Sequence, residues 1–333
     1  MSSARPRVAV DALGGDNAPG EVILGALDAA SGGIDVTLFG PKGLDTQGLK
    51  LVETTEVIEM ADKPADAVRA KPDSSLVAAV RSVASGSADA VVSAGNTGAM
   101  LAAGLLHLRR LPGVMRPAIA VPIPAREGPS VLLDACANAD ARAEHLLQFA
   151  HMGAIFCQEL LDIPNPEVRL LSIGEEDEKG NALVLDAHAL LRVSDLNFAG
   201  NVESRELLRG AADVIVADGF TGNIALKTAE GTAKQIGEYL RAAMGRSLLA
   251  RLGAILAQGA FRALKEKMDP RQLNGGIFLG LNGIVVKSHG GTDATGFASA
   301  IDLAYDMASN GVVKRLASDV AGFHTKLELE GAA

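Results

Sequence analysis

The sequence predicts a doubly wound α/β fold built on a mostly parallel sheet. Three observations carry that reading. Apolar runs of strand length alternate with segments of helical period. Most of those runs are apolar at every position rather than at every second one. Nearly every run breaks into Gly with Asn, Asp, Ser or Thr just before the next helical segment. Strands buried on both faces read as continuous apolar runs, which is what helices on both sides of a parallel sheet impose. The alternation is the mark of α/β layering.

Taken in order, RVAVD at 7–11 is the first expected strand, and "VDALGGD" leads from it to a helix over 19–30. IDVTLF at 34–39 is the next strand, followed by one at 56–60 and a helix over 75–85. ADAVVS at 89–94 opens through "VVSAGNTGA" into a helix over 98–108. Strands at 118–122 and 130–134 (SVLLD) follow, and "LLDACANAD" leads to a long helix over 140–161. VRLLSI at 168–173 passes through "LLSIGEEDEKGN" to a helix over 179–193. DVIVAD at 213–218 passes through "VIVADGFTGN" to a helix over 222–244, where Leu226, Ala229, Ala233, Ile236 and Leu240 keep an amphipathic spacing. GIVVK at 283–287 ends in "VVKSHGGTD", before a last helix over 293–309. No linker and no fixed-period repeat interrupts the series, so residues 1–333 read as one domain with a helical excursion at 241–271.

Composition bounds the function. Hydrophobic residues make up 48% of the 333, aromatic residues 3%, and Trp is absent, so the core is built from Ala, Val, Leu and Ile. The 37 glycines sit mostly at the ends of apolar runs, where tight turns need them. A formal net charge of -9 argues against a general nucleic-acid binder, which shows a basic face. Cys136 and Cys157 form no disulfide or metal pattern. The N-terminus has no apolar leader, and no stretch approaches the roughly 20 apolar residues of a membrane span, so a cytoplasmic protein is expected.

Ligands of open parallel sheets bind outside the carboxyl ends of the strands. Six junctions of one composition are therefore expected to converge on one crevice. Such a crevice offers amides at helix starts and small polar side chains, which suit an oxyanion such as phosphate. The candidates are Asp11, Gly14, Gly15, Asp16, Ser93, Gly95, Asn96, Thr97, Gly98, Asn138, Asn181, Asn201, Asp218, Thr221 and Gly222. The same residues are also ordinary N-caps and turn formers, so each has a structural reading beside the functional one. Lys179, beside Gly180 and Asn181, is the leading charged candidate, against a solvated Lys paired with Glu175, Glu176 or Glu178. His289 can donate a hydrogen bond or move a proton, or be structural. His107, His145, His151, His188 and His324 lie in helical segments without ligand spacing, so no metal is expected. There is no G-x-S-x-G elbow, and Cys136 reads as a small buried residue rather than a nucleophile.

"VDALGGDNAP", "SAGNTGA", "DACANAD", "EEDEKGN", "FAGNVESREL", "VADGFTGNIALKTAEG" and "LGLNGIVVKSHGGTD", spread from residue 8 to about 293, together resemble the PlsX family of bacterial phosphate acyltransferases. Leu13 stands where that family usually has Met, and Cys136 where it usually has Gly. The resemblance implies transfer of a long acyl chain from acyl carrier protein to inorganic phosphate, without a cofactor. The acyl phosphate then serves a glycerol-phosphate acyltransferase. It also implies a homodimer, a fold related to phosphotransacetylase and the isocitrate dehydrogenase-like enzymes, and a hydrophobic tip between two helices that docks on the membrane from the cytoplasmic side.

In that reaction phosphate is itself the nucleophile, so positioning and oxyanion stabilisation suffice. Lys179 and Asn223, the latter read as standing at a helix start, are the expected catalytic residues. Arg246, Arg251, Arg262, Lys265 and Lys267 belong to a basic patch, with Arg241 and Arg271, that suits an acidic carrier protein. Leu252, Ile255, Leu256 and Phe261 are the expected membrane contacts, against a core or dimer-interface reading of the same segment. Three alternatives stay open: a coenzyme A-dependent phosphotransacetylase, a dinucleotide-linked dehydrogenase, and a non-catalytic phosphate- or lipid-binding module.

Overall fold

The computed structural model describes residues 5–125, 128–261 and 275–320. The elements run β1 (Arg7–Asp11), α1 (Gly20–Ser31), β2 (Asp35–Gly40), β3 (Lys50–Glu53), α2 (Pro64–Ala70), α3 (Ser75–Ala84), β4 (Ala90–Ser93) and α4 (Thr97–Ala103), which continues as a π-helical turn over Gly104–Leu108. Then come β5 (Ala118–Ala125), β6 (Gly128–Leu133), α5 (Ala143–Leu160), β7 (Val168–Ser172), α6 (Ala182–Arg192), β8 (Phe198–Glu203), β9 (Val214–Val216), α7 (Gly219–Gly245), α8 (Leu248–Leu256), β10 (Gly276–Leu279), β11 (Ile284–Lys287) and α9 (Ala294–Ser309).

Among the described residues, eleven strands form one sheet in the order β3-β2-β1-β4-β11-β10-β5-β6-β9-β7-β8. The neighbours from β3 to β11 pair in parallel, and so do those from β6 to β8. Between these halves β10 is antiparallel to both β11 and β5, and β5 is antiparallel to β6. The halves therefore run in opposite directions. Their carboxyl ends still meet along one row. Lys287 stands beside Ser93 and opposite Gly276, whose neighbour Ile277 pairs with Ala120. The next residue, Val121, pairs with Leu132, and Leu132 with Ile215.

Helices cover both faces, as the continuous apolar runs require. Val8, Val10, Val92 and Val286 point to one face, where α1, α5 and α9 bury Ile23, Ala26, Phe149, Phe297 and Ile301. Ala9, Val91 and Val285 point to the other, against Leu76, Val77, Met100 and Ala103 of α3 and α4. Leu226 of α7 packs on this second face where its two clusters adjoin, over the seam between the halves.

Three expectations need correction. The strand expected at 56–60 is absent; Glu56 makes a single bridge to Ser74, and the edge strand is β3. Strands β8 and β10 were not expected. β8 carries Gly200 in the left-handed region, at φ 90, and alternates poorly in hydrophobicity. β10 and β11 form a hairpin that reads in sequence as one apolar stretch. Helix α7 begins at Gly219, capped by Asp218, so Asn223 lies inside it and not at its start.

Candidate active site

The junctions fall into three hydrogen-bonded groups rather than one crevice of equals. The first joins the ends of β1, β4 and β11. Asp11, Ser93 and Lys287 end adjacent strands and share the second face, because each follows a residue of the first face. The Ser93 hydroxyl donates to Asp11 Oδ2 at 2.6 Å, and the Gly95 amide donates to Ser93 Oγ at 2.9 Å. Burial pushes the Asp11 carboxyl above the usual carboxylate range, against hydrogen bonds from Ser75, Ser93 and the Leu13 amide and the nearby Lys287 cation. Gly14 is close-packed here: a Cβ would lie 2.5 Å from Asp11 Oδ2 and 2.6 Å from Ser93 Oγ. Its small size thus makes room for protein atoms. The Asp16 amide donates to the Gly290 carbonyl at 2.8 Å, which ties the loop after β1 to the loop after β11. Asn96 caps α4 through the Ala99 amide and donates to the carbonyls of Met60 and Asp62.

The second group joins the ends of β6 and β9. Asp134 is fully buried and accepts from the amides of Ile119, Cys136, Ala137 and Asn138 and from Asn138 Nδ2, at 2.7–3.1 Å. Asp218 caps α7 through the amides of Phe220 and Thr221, and the Thr221 hydroxyl donates to it at 2.6 Å. Gly222 lets α7 sit down on this loop, since a Cβ there would be 2.0 Å from the Asp134 carbonyl oxygen.

The third group lies at the ends of β7 and β8. Asn201 Nδ2 donates to the Glu176 carbonyl at 2.8 Å, and Asn181 caps α6 through the Val184 amide. Lys179 is exposed. Its backbone is anchored by Ser172, but among the described residues its ammonium has no carboxylate within 4.0 Å. Two of the neighbouring acids go elsewhere: Glu175 pairs with Arg205, and Asp177 with His188 and Arg192.

The first two groups face each other. Lys227 of α7 acts electrostatically on Lys287, His289 and Cys136, and Asp16 acts on Lys287 and His289. Asn223 is four residues before Lys227 and so shares its stripe of α7. Among the described residues its side chain has no hydrogen-bond partner. Burial lowers Lys287 to about 8, with Lys227 acting in the same direction and Asp16, Asp11 and Cys136 opposing. The Lys287 ammonium donates to the carbonyls of Ala94, at 3.0 Å, and Ser288. Burial and Lys227 also hold the exposed His289 below its ordinary range, so its ring is neutral at neutral pH. Cys136 is exposed, not buried as expected from sequence. Burial of the sulfur's surroundings and Asp134 still push its thiol up, against Lys227 and Lys287, which keeps it protonated and a poor nucleophile.

Sequence reasoning missed Lys287 and Lys227. A Lys closing an apolar strand beside a Gly-rich junction was the available signal for the first. Of the predicted residues, Asp11, Gly14, Gly15, Asp16, Ser93, Gly95 and His289 fall together at the first junction. Asn138, Asp218, Thr221, Gly222 and Asn223 fall at the facing one. Asn181, Asn201 and Lys179 stand apart, on the junction of the strand beside β9. Thr97 and Gly98 open α4, where Gly98 makes room for Pro64.

The architecture has counterparts among solved structures. The chain is similar to a phosphotransacetylase from Streptococcus pyogenes, with a TM-score of 0.61 at 19% identity over 91% of this chain and 94% of that one. A 4-hydroxythreonine-4-phosphate dehydrogenase from Klebsiella pneumoniae matches with a TM-score of 0.54 at 13% identity, over 92% and 99%. At these identities the likeness is one of fold. The family described as "Fatty acid synthesis protein" matches residues 6–315. Curated proteins named phosphate acyltransferase are similar over nearly the whole chain. That of Xanthobacter autotrophicus is 48% identical, covering 96% of this chain and 94% of its own. That of Rhizobium meliloti is 46% identical, covering 96% of each. That of a Geobacillus species is 44% identical, covering 96% of this chain and 100% of its own. The chain belongs to this family of phosphate acyltransferases.

Proposed function

We propose that the chain moves a long-chain fatty acyl group from acyl carrier protein to inorganic phosphate, giving acyl phosphate for phospholipid synthesis. Acyl transfer to phosphate is the reaction its family carries. The observation that supports it here is the facing of Lys287 and Lys227 across the seam of the sheet, beside a thiol kept protonated. Two lysines in one cleft, Lys227 paired with Glu230 at 2.7 Å, suit a dianionic nucleophile, and among the described residues the site holds no activated protein nucleophile to compete with it.

Phosphate sits between Lys227 and Lys287. One of its oxygens attacks the thioester carbonyl carbon, and negative charge develops on the carbonyl oxygen. The Asn223 amide, on the Lys227 stripe of α7, stabilises that charge, and we assign the Lys179 ammonium to reach it from the neighbouring junction after β7. The carbon–sulfur bond breaks and thiolate leaves; thiols ionise near pH 8.5, so departure needs little help. The proton of hydrogenphosphate ends on the carrier thiol. The Lys287 cation exists below about pH 8 and is lost above it. The alkaline limb of kcat/KM should therefore bend near pH 8, well below the range of a free lysine, and should vanish in Lys287→Met. A Lys287→Met variant with wild-type activity and an unchanged limb excludes Lys287 from the cleft's chemistry.

The donor assignment is supported by Arg241, Arg246 and Arg251, all exposed around the end of α7 and on α8. Arg262, Lys265, Lys267 and Arg271 lie outside the described residues. Kinetics with acyl carrier protein and coenzyme A thioesters of one chain length test the assignment. A kcat/KM at least about tenfold higher for the carrier protein is expected from charge steering. Equal or better use of the coenzyme A thioester overturns it.

Membrane contact is supported by α8. Leu248, Leu249, Ile255 and Leu256 are 85%, 80%, 66% and 82% exposed, and Leu252 is 56% exposed. Among the described residues no helix is long and apolar enough to cross a membrane; we read α8 as a segment that lies in the interface of the cytoplasmic leaflet. Phe261 is half-buried. Replacing Ile255 and Leu256 with Glu removes two anchors, each contributing roughly 1.5–3 kcal/mol on burial. The variant should stop floating with anionic vesicles and keep its activity in solution. Continued flotation excludes the tip as the contact; loss of folding or of assembly makes the segment an interface. The apolar Ile236 and Tyr239 of α7, 56% and 68% exposed, support a homodimer in which a second copy covers that helix.

A further inference from the structure

We infer that Arg110, Arg116, Arg142 and His145 form a second anion site, which takes the phosphate group of a small ligand. They line a cavity of about 390 Å³ between the 109–116 segment and the start of α5. The 134–142 loop separates it from the cleft of Lys227 and Lys287. Ala135 and Ala137 of that loop pack on the second face of the sheet, and Ala141, with Ala143 at the start of α5, on the first.

Charge is the first observation. Among the described residues neither Arg110 nor Arg116 has a carboxylate within ion-pair distance. Arg110 donates to the Met115 carbonyl, and Arg116 to the Asp140 carbonyl at 3.2 Å. Carbonyls orient a guanidinium without neutralising it. Arg142 has Glu144 3.8 Å from its Nε, which leaves its Nη groups. Asp140 is the acidic residue of the lining, against three arginines.

The second observation is independent of charge counting. His145 is 3% exposed. Its Nδ1 accepts from the Arg142 amide at 3.1 Å, so the proton of the neutral ring is on Nε2. Burial, Arg116 and Arg142 together hold His145 below its ordinary range, in keeping with a neutral ring. Yet Nε2 faces Arg142 Nη2 at 3.5 Å, and both atoms then donate. An oxyanion accepts from both at once. The first-turn amides of α5, a helix of 18 residues, add the favourable end of its dipole. Guanidinium forks at a helix start match a phosphate group, and the cavity leaves room for what the phosphate is attached to. Inorganic phosphate and a phosphate ester share this chemistry.

Calorimetry on the full chain decides it, with inorganic phosphate and with phenyl phosphate as probes. In the Lys287→Met variant the cleft is impaired, yet binding at the second site should persist. Adding Arg116→Gln and Arg142→Gln should weaken that binding at least about tenfold, the scale of losing charge-assisted hydrogen bonds. Tighter binding of phenyl phosphate assigns the site to an ester, and tighter binding of phosphate to the free ion. Unchanged isotherms on removing the arginines overturn the proposal, whatever becomes of the cleft. If the arginine variants do not fold, wild-type crystals soaked in tungstate decide: an anomalous peak within hydrogen-bond distance of His145 Nε2 supports the site, and none there overturns it.

Discussion

Lys179→Ala should leave the fold intact and lower turnover at least about a hundredfold, the loss of one preorganised charge worth roughly 3 kcal/mol in the transition state. The structural cost is small because the side chain does no structural work. The loop is held by backbone contacts: Ser172 donates to the Lys179 carbonyl at 2.9 Å, and the Lys179 amide donates to Glu176. Among the described residues no carboxylate lies within ion-pair distance of its ammonium, and Glu175 and Asp177 are paired with Arg205, His188 and Arg192, so no ion pair is lost. Thermal melts and kcat on the same preparation separate stability from catalysis. A folded variant with near-normal kcat removes Lys179 from the mechanism and leaves the charge to Lys287 and Lys227.

Asp134→Ala should behave in the opposite way and fail at folding. Its carboxylate accepts five N–H groups at once, from Ile119, Cys136, Ala137 and twice from Asn138. Each buried donor left bare costs about 1–3 kcal/mol, and a whole protein has only about 5–15 kcal/mol in hand. Little soluble protein, or a melting temperature lower by at least about 10 °C, is the expected result. Asp134→Asn should fall between, because one amide oxygen still accepts while the amide nitrogen faces donors. A wild-type melting curve for Asp134→Ala would show that water replaces the carboxylate and that the loop under α7 is not organised by it.

The legible part of the fold is the part written in apolar runs. β1, β4, β9 and β11 are buried at nearly every position, and every residue between their ends is apolar. β3 is exposed at three of its four positions, so no apolar pattern marks it. The reversal of the second half was also in reach. The residues between the expected strands at 118–122 and 130–134 are too few for a parallel crossover, which takes a dozen or more.

The site was read less well, for a physical reason. Caps and anion sites use the same residues. Asn96, Asn181 and Asp218, all read as phosphate ligands, turn their side chains to the amides of α4, α6 and α7. Ser93 and Asn138 are likewise committed to Asp11 and Asp134. What is left for a ligand is the Asn223 side chain and the lysines, Lys227 sharing its ammonium with Glu230 at 2.7 Å. Placing Lys287 beside Asp11 and opposite Lys227 needs the strand order and the path of α7, which no local pattern contains.

Direct attack by phosphate in the cleft, with no acyl-enzyme, is tested most directly by incubating the purified chain with acyl carrier protein thioester. Free thiol and acyl phosphate are followed together, the latter by phosphorus NMR. Thiol should appear only when phosphate is present, in equal amount to acyl phosphate, and mass spectrometry should find no acylated protein. Thiol release without phosphate, or an acyl group trapped on Cys136, would contradict the account.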